Sequence, residues 1–255
     1  MRRRFFVDKF EAGRTLLRGE AAEHLGRVLR AVPGQLYELS DGAAVWLARV
    51  TNVSQVRSNQ QVEFTLVEKL PASEPALQIR LLLSIVKFER IELCLEKATE
   101  LGVTEIVPVA AARSEKALVL AAAKRRQRWG KILLESAQQS RRLRPPALAP
   151  ATKTPDAFAS ANEDLRILLS ERADAPPLRD ILRDQSSQGV CVAIGPEGGW
   201  TEDEFDAATK NGFREASLGR EILRTETAAI AALAVLRYAL DPVAPAATRQ
   251  SANAR

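Results

Sequence analysis

Up to Leu70 the apolar and polar positions alternate in short runs. The segments RRFFV (3–7), QLYELS (35–40), AAVWLARV (43–50) and QVEFTLVE (61–68) are rich in aromatic and β-branched residues. This is the pattern of strands with one buried face. Pro33-Gly34, Asp41-Gly42 and Ser58-Asn59 supply turns between them. One stretch breaks the alternation: GEAAEHLGRVLR (19–30) places Leu25, Val28 and Leu29 on one face of a helix. A small barrel closes so many short strands economically, so residues 1–70 are predicted to form one. KLPASEPAL, with Pro71 and Pro75, reads as a linker over 71–77.

From residue 78 the period changes. QIRLLLSIV, TEIVPVAAA, LRILLS, VCVAI and EASL are buried-strand runs. KFERIELCLEKATELG (87–102) carries Phe88, Ile91, Leu95 and Ala98 in helical register, with Gly102 as its stop. A basic helix follows around Trp129, Ile132 and Leu133. Strands alternating with helices predict a parallel sheet covered on both faces, an α/β domain over 78–241. The tail 242–255 is rich in Ala, Pro and polar residues and is expected to be disordered.

Composition narrows the classes. With 46% hydrophobic residues a sizeable core can be buried. Cys94 and Cys191 sit in apolar runs without metal-site spacing, as reduced structural thiols do in a cytoplasmic protein. The sole histidine, His24, argues against His-based triads and multi-histidine metal sites, so no metal is expected. The N-terminus lacks the apolar stretch of a signal peptide. The most apolar run, TAAIAALAVLRYAL (227–240), is interrupted by Arg237 and too short to span a membrane, so a soluble chain is expected. The net charge of +5 is unevenly spread. Residues 113–144 hold Arg113, Lys116, Lys124, Arg125, Arg126, Arg128, Lys131, Arg141, Arg142 and Arg144 against Glu115 and Glu135. Such a patch suits a polyphosphate partner such as RNA, or is a solvated helix face.

Two segments carry candidate chemistry. AIGPEGGWTEDEF (193–205) follows a buried strand, and ligands of open parallel sheets lie beyond the carboxyl ends of strands. Gly198 and Gly199 permit positive φ and close approach of a ligand; Pro196 fixes one dihedral. Thr201 and Glu204 have the spacing of a capping box. No Gly-Lys-Ser/Thr follows, and Glu197 at the tip would repel phosphate. The loop therefore suits a neutral or cationic ligand, or is a tight strand-to-helix turn holding none. SLGREILRTETAAIAALAVLRYAL (217–240) ends a strand, turns through Ile222, Leu223 and Arg224, and enters a helix capped by Thr225 or Thr227. That helix is apolar nearly all round at its start, which marks burial in a core or at an interface.

GPEGG followed by LGREILRTETA resembles the RsmE family, the 16S ribosomal RNA uracil-N3 methyltransferases of the SPOUT class. RFFV, HLGRVLR, EKATELGV and RWGKILLESAQQS occur in the family's order along nearly the whole chain. The resemblance implies a PUA-like RNA-binding barrel over 1–70, a SPOUT domain with a deep trefoil knot over 78–241, bound S-adenosyl-L-methionine, and a homodimer acting on 16S rRNA or the small ribosomal subunit. By analogy the 227–240 helix forms part of the dimer interface. The implied cofactor-binding residues are Leu169, Gly195, Pro196, Glu197, Gly198, Gly199, Leu218, Gly219, Ile222, Leu223, Arg224 and Thr225. Candidate RNA contacts are Arg2, Arg3, Arg4, Arg27 and Arg30 on the barrel, and Lys87, Arg113, Arg125 and Arg126 beyond it. For catalysis, Arg224 would stabilise a uracil anion or place an RNA phosphate, and Glu226 or Glu197 would accept the N3 proton.

The sequence departs from the family twice. Lys87-Phe88-Glu89-Arg90 stands where the family often shows Lys-Gly-Asp-Lys or similar, and Gln138-Gln139-Ser140-Arg141-Arg142 where it often shows Glu-Gln-Ser-Gly-Arg. Competing readings are a SPOUT ribose 2′-O-methyltransferase and a non-catalytic RNA-binding assembly factor; a nucleotide-phosphate binder is a weaker third.

Overall fold

The computed structural model describes residues 4–56, 59–183 and 185–241. Arg2, Arg3, Ser58 and the 242–255 tail lie outside the described residues. The chain divides into two compact units at Glu74–Pro75, inside the predicted linker. The first unit also takes Leu95–Gly102 and Arg125–Ala147, which no linker signal in the sequence announces.

In the first unit β1 (Arg4–Phe6), β2 (Arg14–Leu17), β3 (Leu36–Ser40), β4 (Val45–Val56) and β5 (Asn59–Leu70) form one sheet, ordered β1-β3-β4-β5-β2. β1 runs parallel to β3 and the other pairs are antiparallel. Register shifts at Leu47/Ala48 and Val50/Asn52 interrupt the long β4–β5 ladder. Such irregularities bend and twist a strand, and the predicted barrel takes the form of a curled five-stranded sheet. Its core holds Phe5, Leu17, Leu25, Leu39, Val50, Val62 and Phe64. Tyr37 meets Phe5 and Phe64 edge-on, with ring centroids 5.9 and 6.4 Å apart. β2 went unpredicted because only Leu17 of its four residues is buried, leaving no alternation to detect.

The predicted 19–30 helix changes character midway. α1 (Gly19–Glu23) continues as a π-helical turn over His24–Val28. The wider turn breaks the 3.6-residue register. Leu25 is fully buried, whereas Val28 and Leu29 are 66% and 40% exposed rather than sharing its face. Gly26 allows the turn to lie against β5, since a Cβ there would sit 2.7 Å from the Gln60 amide nitrogen.

From Gln78 onward the chain forms β6 (Gln78–Ser84), α2 (Phe88–Glu100), β7 (Glu105–Ala110), α3 (Lys116–Gln139), β8 (Ala147–Leu148), β9 (Thr152–Lys153), α4 (Thr154–Ala159), β10 (Leu165–Leu169), α5 (Leu178–Leu182), β11 (Gly189–Ile194), α6 (Glu202–Lys210), β12 (Arg214–Ala216) and α7 (Thr225–Leu240). The division between units cuts through α2 and α3. The strands order as β12-β10-β11-β6-β7-β8, with β9 beside β7. The pairs β12–β10, β10–β11, β11–β6, β6–β7 and β7–β9 are parallel, as the alternation of strands and helices predicts. β6 and β11 are buried along nearly their whole length, the signature of a sheet covered on both faces. Phe158, Trp200 and Phe213 pack beside Leu82, Val107, Leu168 and Ala193 in the core. No helix among the described residues is long and apolar enough to cross a membrane.

Arg141, in one of the two stretches read from the sequence as departures, has φ +55° just after α3. A side chain in that region costs about 1–2 kcal/mol. Its guanidinium lies 3.7 Å from Glu38. Gln138, the other departure in this stretch, is buried near the end of α3.

A cleft at the ends of two parallel strands

β10 and β11 are neighbours in the sheet, and the loops leaving their carboxyl ends face each other. Gly195–Trp200 follows β11 as a tight turn in which the Gly199 N–H donates to the Pro196 carbonyl at 2.9 Å. Gly199 has φ +69°, which favours glycine, and a Cβ there would lie 2.3 Å from Oε1 at the end of the Glu171 side chain. The Trp200 indole N–H, 4% exposed, donates to the Leu169 carbonyl at 3.0 Å and so joins this turn to the end of β10. A Cβ on Gly195 would come within 3.1 Å of that indole nitrogen.

The predicted capping box is present at the start of α6. The Glu204 N–H donates to Thr201 Oγ1, and the Thr201 N–H donates to Glu204 Oε2. Glu204 also accepts from the Ala112 N–H at 2.9 Å and the Thr154 hydroxyl at 2.7 Å. A carboxylate that is 5% exposed is thereby satisfied entirely by donors, beside the positive end of α6.

The second predicted segment folds over the same loops. After β12 the chain runs through Leu218 and Gly219 (φ +145°) to Arg224, the N-cap of α7. Neither threonine caps this helix as predicted. Thr225 is its first residue, and its hydroxyl donates to the Gly195 carbonyl at 3.1 Å. That bond spends the hydroxyl on tying the segment to the glycine turn. The early face of α7 that buries Thr225, Ala229, Ala232 and Leu233 agrees with the expected apolar packing.

Between these loops lies an open cleft. Of the predicted cofactor residues, Leu169, Gly195, Pro196, Glu197, Leu218, Gly219, Ile222, Leu223 and Thr225 line it. Ser170, Glu171, Ile194, Arg220, Glu221 and Ala228 complete the lining. Gly198, Gly199 and Arg224 do not line it. Gly198 offers its carbonyl to Arg113 Nη1 at 2.6 Å, Gly199 shapes the turn, and Arg224 is exposed at the helix start.

The candidate carboxylates share a cation that sequence reasoning missed. Arg90 Nη1 donates to Glu197 Oε1 at 2.7 Å, and Arg90 Nε lies 3.9 Å from Glu226 Oε1. Glu226 is not part of the cleft lining, and its Oε2 is buried without a hydrogen-bond partner. The only local hint of Arg90 is a cation in the first turn of α2, where it opposes the helix dipole. Glu171, also missed, had a weak signal: an acid two residues past the end of a buried strand. Burial first, and the charge of Glu226 second, push the Cys94 thiol up to about 12; burial likewise raises Cys191.

Of the RNA candidates, Arg27, Arg30, Lys87 and Arg126 are exposed and Arg125 is half-buried. Arg113 buttresses the glycine turn through its bond to Gly198. Arg4 is withdrawn from the surface: it pairs with Glu38 at 3.0 Å and donates to the carbonyls of Arg141 and Arg142.

Comparison with known proteins agrees with this geometry. A family described as RNA methyltransferase domain matches residues 73–237. The ribosomal RNA small subunit methyltransferase E of Synechocystis is 32% identical over 222 residues, covering 86% of this chain and 71% of that protein. That of Aquifex aeolicus is 25% identical, covering 91% and 97%. A methyltransferase from Legionella pneumophila, solved with bound cofactor SAM, superposes with a TM-score of 0.83 at 31% identity, covering 94% of this chain and 98% of that one. The ribosomal RNA small subunit methyltransferase E of Neisseria gonorrhoeae, solved with S-adenosyl methionine, gives 0.82 at 31% identity over the same shares. With its α/β architecture, its curled N-terminal sheet and these matches along most of its length, the chain belongs to the RNA methyltransferase family of the ribosomal RNA small subunit methyltransferases E.

Proposed function

We propose that the chain uses S-adenosyl-L-methionine to methylate N3 of a specific uridine in 16S ribosomal RNA, as a cytoplasmic homodimer. One observation carries this reading: the two segments that bear the family resemblance meet in a single cleft at the ends of β10 and β11, tied by Thr225 to Gly195. The lining fits the cofactor's chemistry. Glu171, Glu197 and Glu221 supply negative charge for a sulfonium and an ammonium, while Ile194, Leu218 and Leu223 offer apolar surface for a purine. When bound, the cofactor supplies an electrophilic methyl carbon.

The chain's own residues must hold the target base and dispose of a proton. N3 lies on the pairing edge of uracil, so the base must leave its stack and pair to reach the cleft. Glu197, on the lining, is the carboxylate best placed to accept the N3 proton, with Arg90 compensating its charge. Glu226 is one ion pair further away and supports Arg90 instead. Arg224, exposed at the rim, is available to a phosphate or to the uracil oxygens. Arg27, Arg30, Lys87 and Arg126 are exposed and would position the RNA backbone without reading its sequence. Tyr238 on α7, 92% exposed, supports a second copy packing along that helix.

The test is nucleoside mass spectrometry of small-subunit RNA from a strain lacking the gene. N3-methyluridine should vanish and return on complementation with this chain. Its persistence, or the loss of a 2′-O-methyl nucleoside instead, refutes the reading.

A further inference from the structure

We propose that Arg90 is a positioning residue of the cleft, a clamp that holds the Glu197 wall against the first turn of α7. The inference rests on the cofactor reading above. Three observations converge on it. Arg90 reaches Glu197 on the glycine turn and Glu226 on α7 with different guanidinium nitrogens, Nη1 and Nε. A guanidinium is suited to such a double role because its donors point in fixed, divergent directions. Glu226, with its side chain 14% exposed and Oε2 buried and unpartnered, is a charge that needs a neighbouring cation. Finally, a cation in the first turn of α2 opposes the helix dipole, and a residue that breaks a local rule is explained by what it does elsewhere.

Without Arg90, two carboxylates would face each other across the junction of the turn and α7, one of them nearly buried. The turn carrying Glu197 is the softer partner, because Glu226 is fixed in the helix. The repulsion would therefore be relieved by displacing the cleft wall.

The experiment titrates S-adenosylmethionine calorimetrically into the full chain and into R90Q, R90K and R90Q/E226Q, with KM for unmethylated small-subunit RNA measured alongside. R90Q should weaken cofactor binding about tenfold or more, roughly 1.4 kcal/mol, and leave KM for RNA within about twofold. R90K retains the charge and should lose about threefold or less on the same scale. R90Q/E226Q removes the unpaired carboxylate and should recover most of the loss, which a merely destabilised fold would not. Cofactor binding by R90Q within about twofold of the parent, no recovery in the double variant, or a loss in R90K as large as in R90Q overturns the inference. Should R90Q fail to fold, the R90K comparison decides. If the parent chain itself binds no S-adenosylmethionine, the cofactor reading falls, and the clamp with it.

Discussion

Gly199→Ala separates two demands that the glycine turn makes on one residue. The backbone there has φ +69°, and holding an L side chain in that region costs about 1–2 kcal/mol. The new methyl would also lie 2.3 Å from Glu171 Oε1, closer than any real contact. Glu171 is exposed and flexible, so it swings aside at an off-rotamer cost of about 0.5–1.5 kcal/mol. The sum is about 1.5–3.5 kcal/mol. For a chain of this size each kcal/mol lowers the midpoint by about 2–4 °C. Denaturant titrations of the parent, G199A, E171A and G199A/E171A form a cycle. In the E171A background the clash is gone and only the backbone term should remain, so the alanine costs less there. Cofactor affinity should fall in G199A, since the displaced Glu171 lines the cleft. If G199A is as stable as the parent, the strain argument fails; if its cost is equal in both backgrounds, the contact with Glu171 is irrelevant.

Two further predictions concern positions away from the cleft lining. Arg141→Gly should stabilise the chain by about 1 kcal/mol, because relief of the φ +55° strain outweighs a partly exposed ion pair with Glu38; a fall in the denaturation midpoint would contradict this. Both thiols should resist a disulfide reagent at pH 8 until the chain unfolds. Their raised values mean that the unfolded chain releases its thiol protons first as pH rises above 9, so stability should fall from there toward pH 12, less steeply in Cys94→Ala. An unchanged slope in that variant counts against the assignment.

The elements legible from sequence are those whose burial writes a period. β6 and β11 are apolar runs because both sheet faces are covered, and α2 shows Ile91, Leu95 and Ala98 because one face is buried. The capping box at Thr201 and Glu204 is local chemistry and was readable for that reason. What escaped depends on partners distant in the chain. Leu25, Val28 and Leu29 fit an α-helical stripe, and nothing local announces a π turn that splits them. Thr225 has the residue type of a cap, but the Gly195 carbonyl claims its hydroxyl. Arg4 belongs to a basic run, yet its guanidinium is held by Glu38 and two carbonyls far along the chain. The Arg90–Glu197 bond joins residues whose sequence separation is 107, and neither neighbourhood hints at the other.

The strand order also dictates when the cleft can exist during folding. β6 sits in the middle of its sheet, and one of its edges is completed only by β11, with Gln78 opposite Gly189. Closing so long a stretch of chain is an entropic cost that precedes its reward, which slows such pairings. The glycine turn then has to await the 217–225 segment before Thr225 can reach Gly195. A nascent chain lacking its last helix therefore carries most of the sheet but only one wall of the cleft. Ligand binding becomes a property of the finished molecule, and a ligand added during refolding should trap the last step rather than speed the early ones.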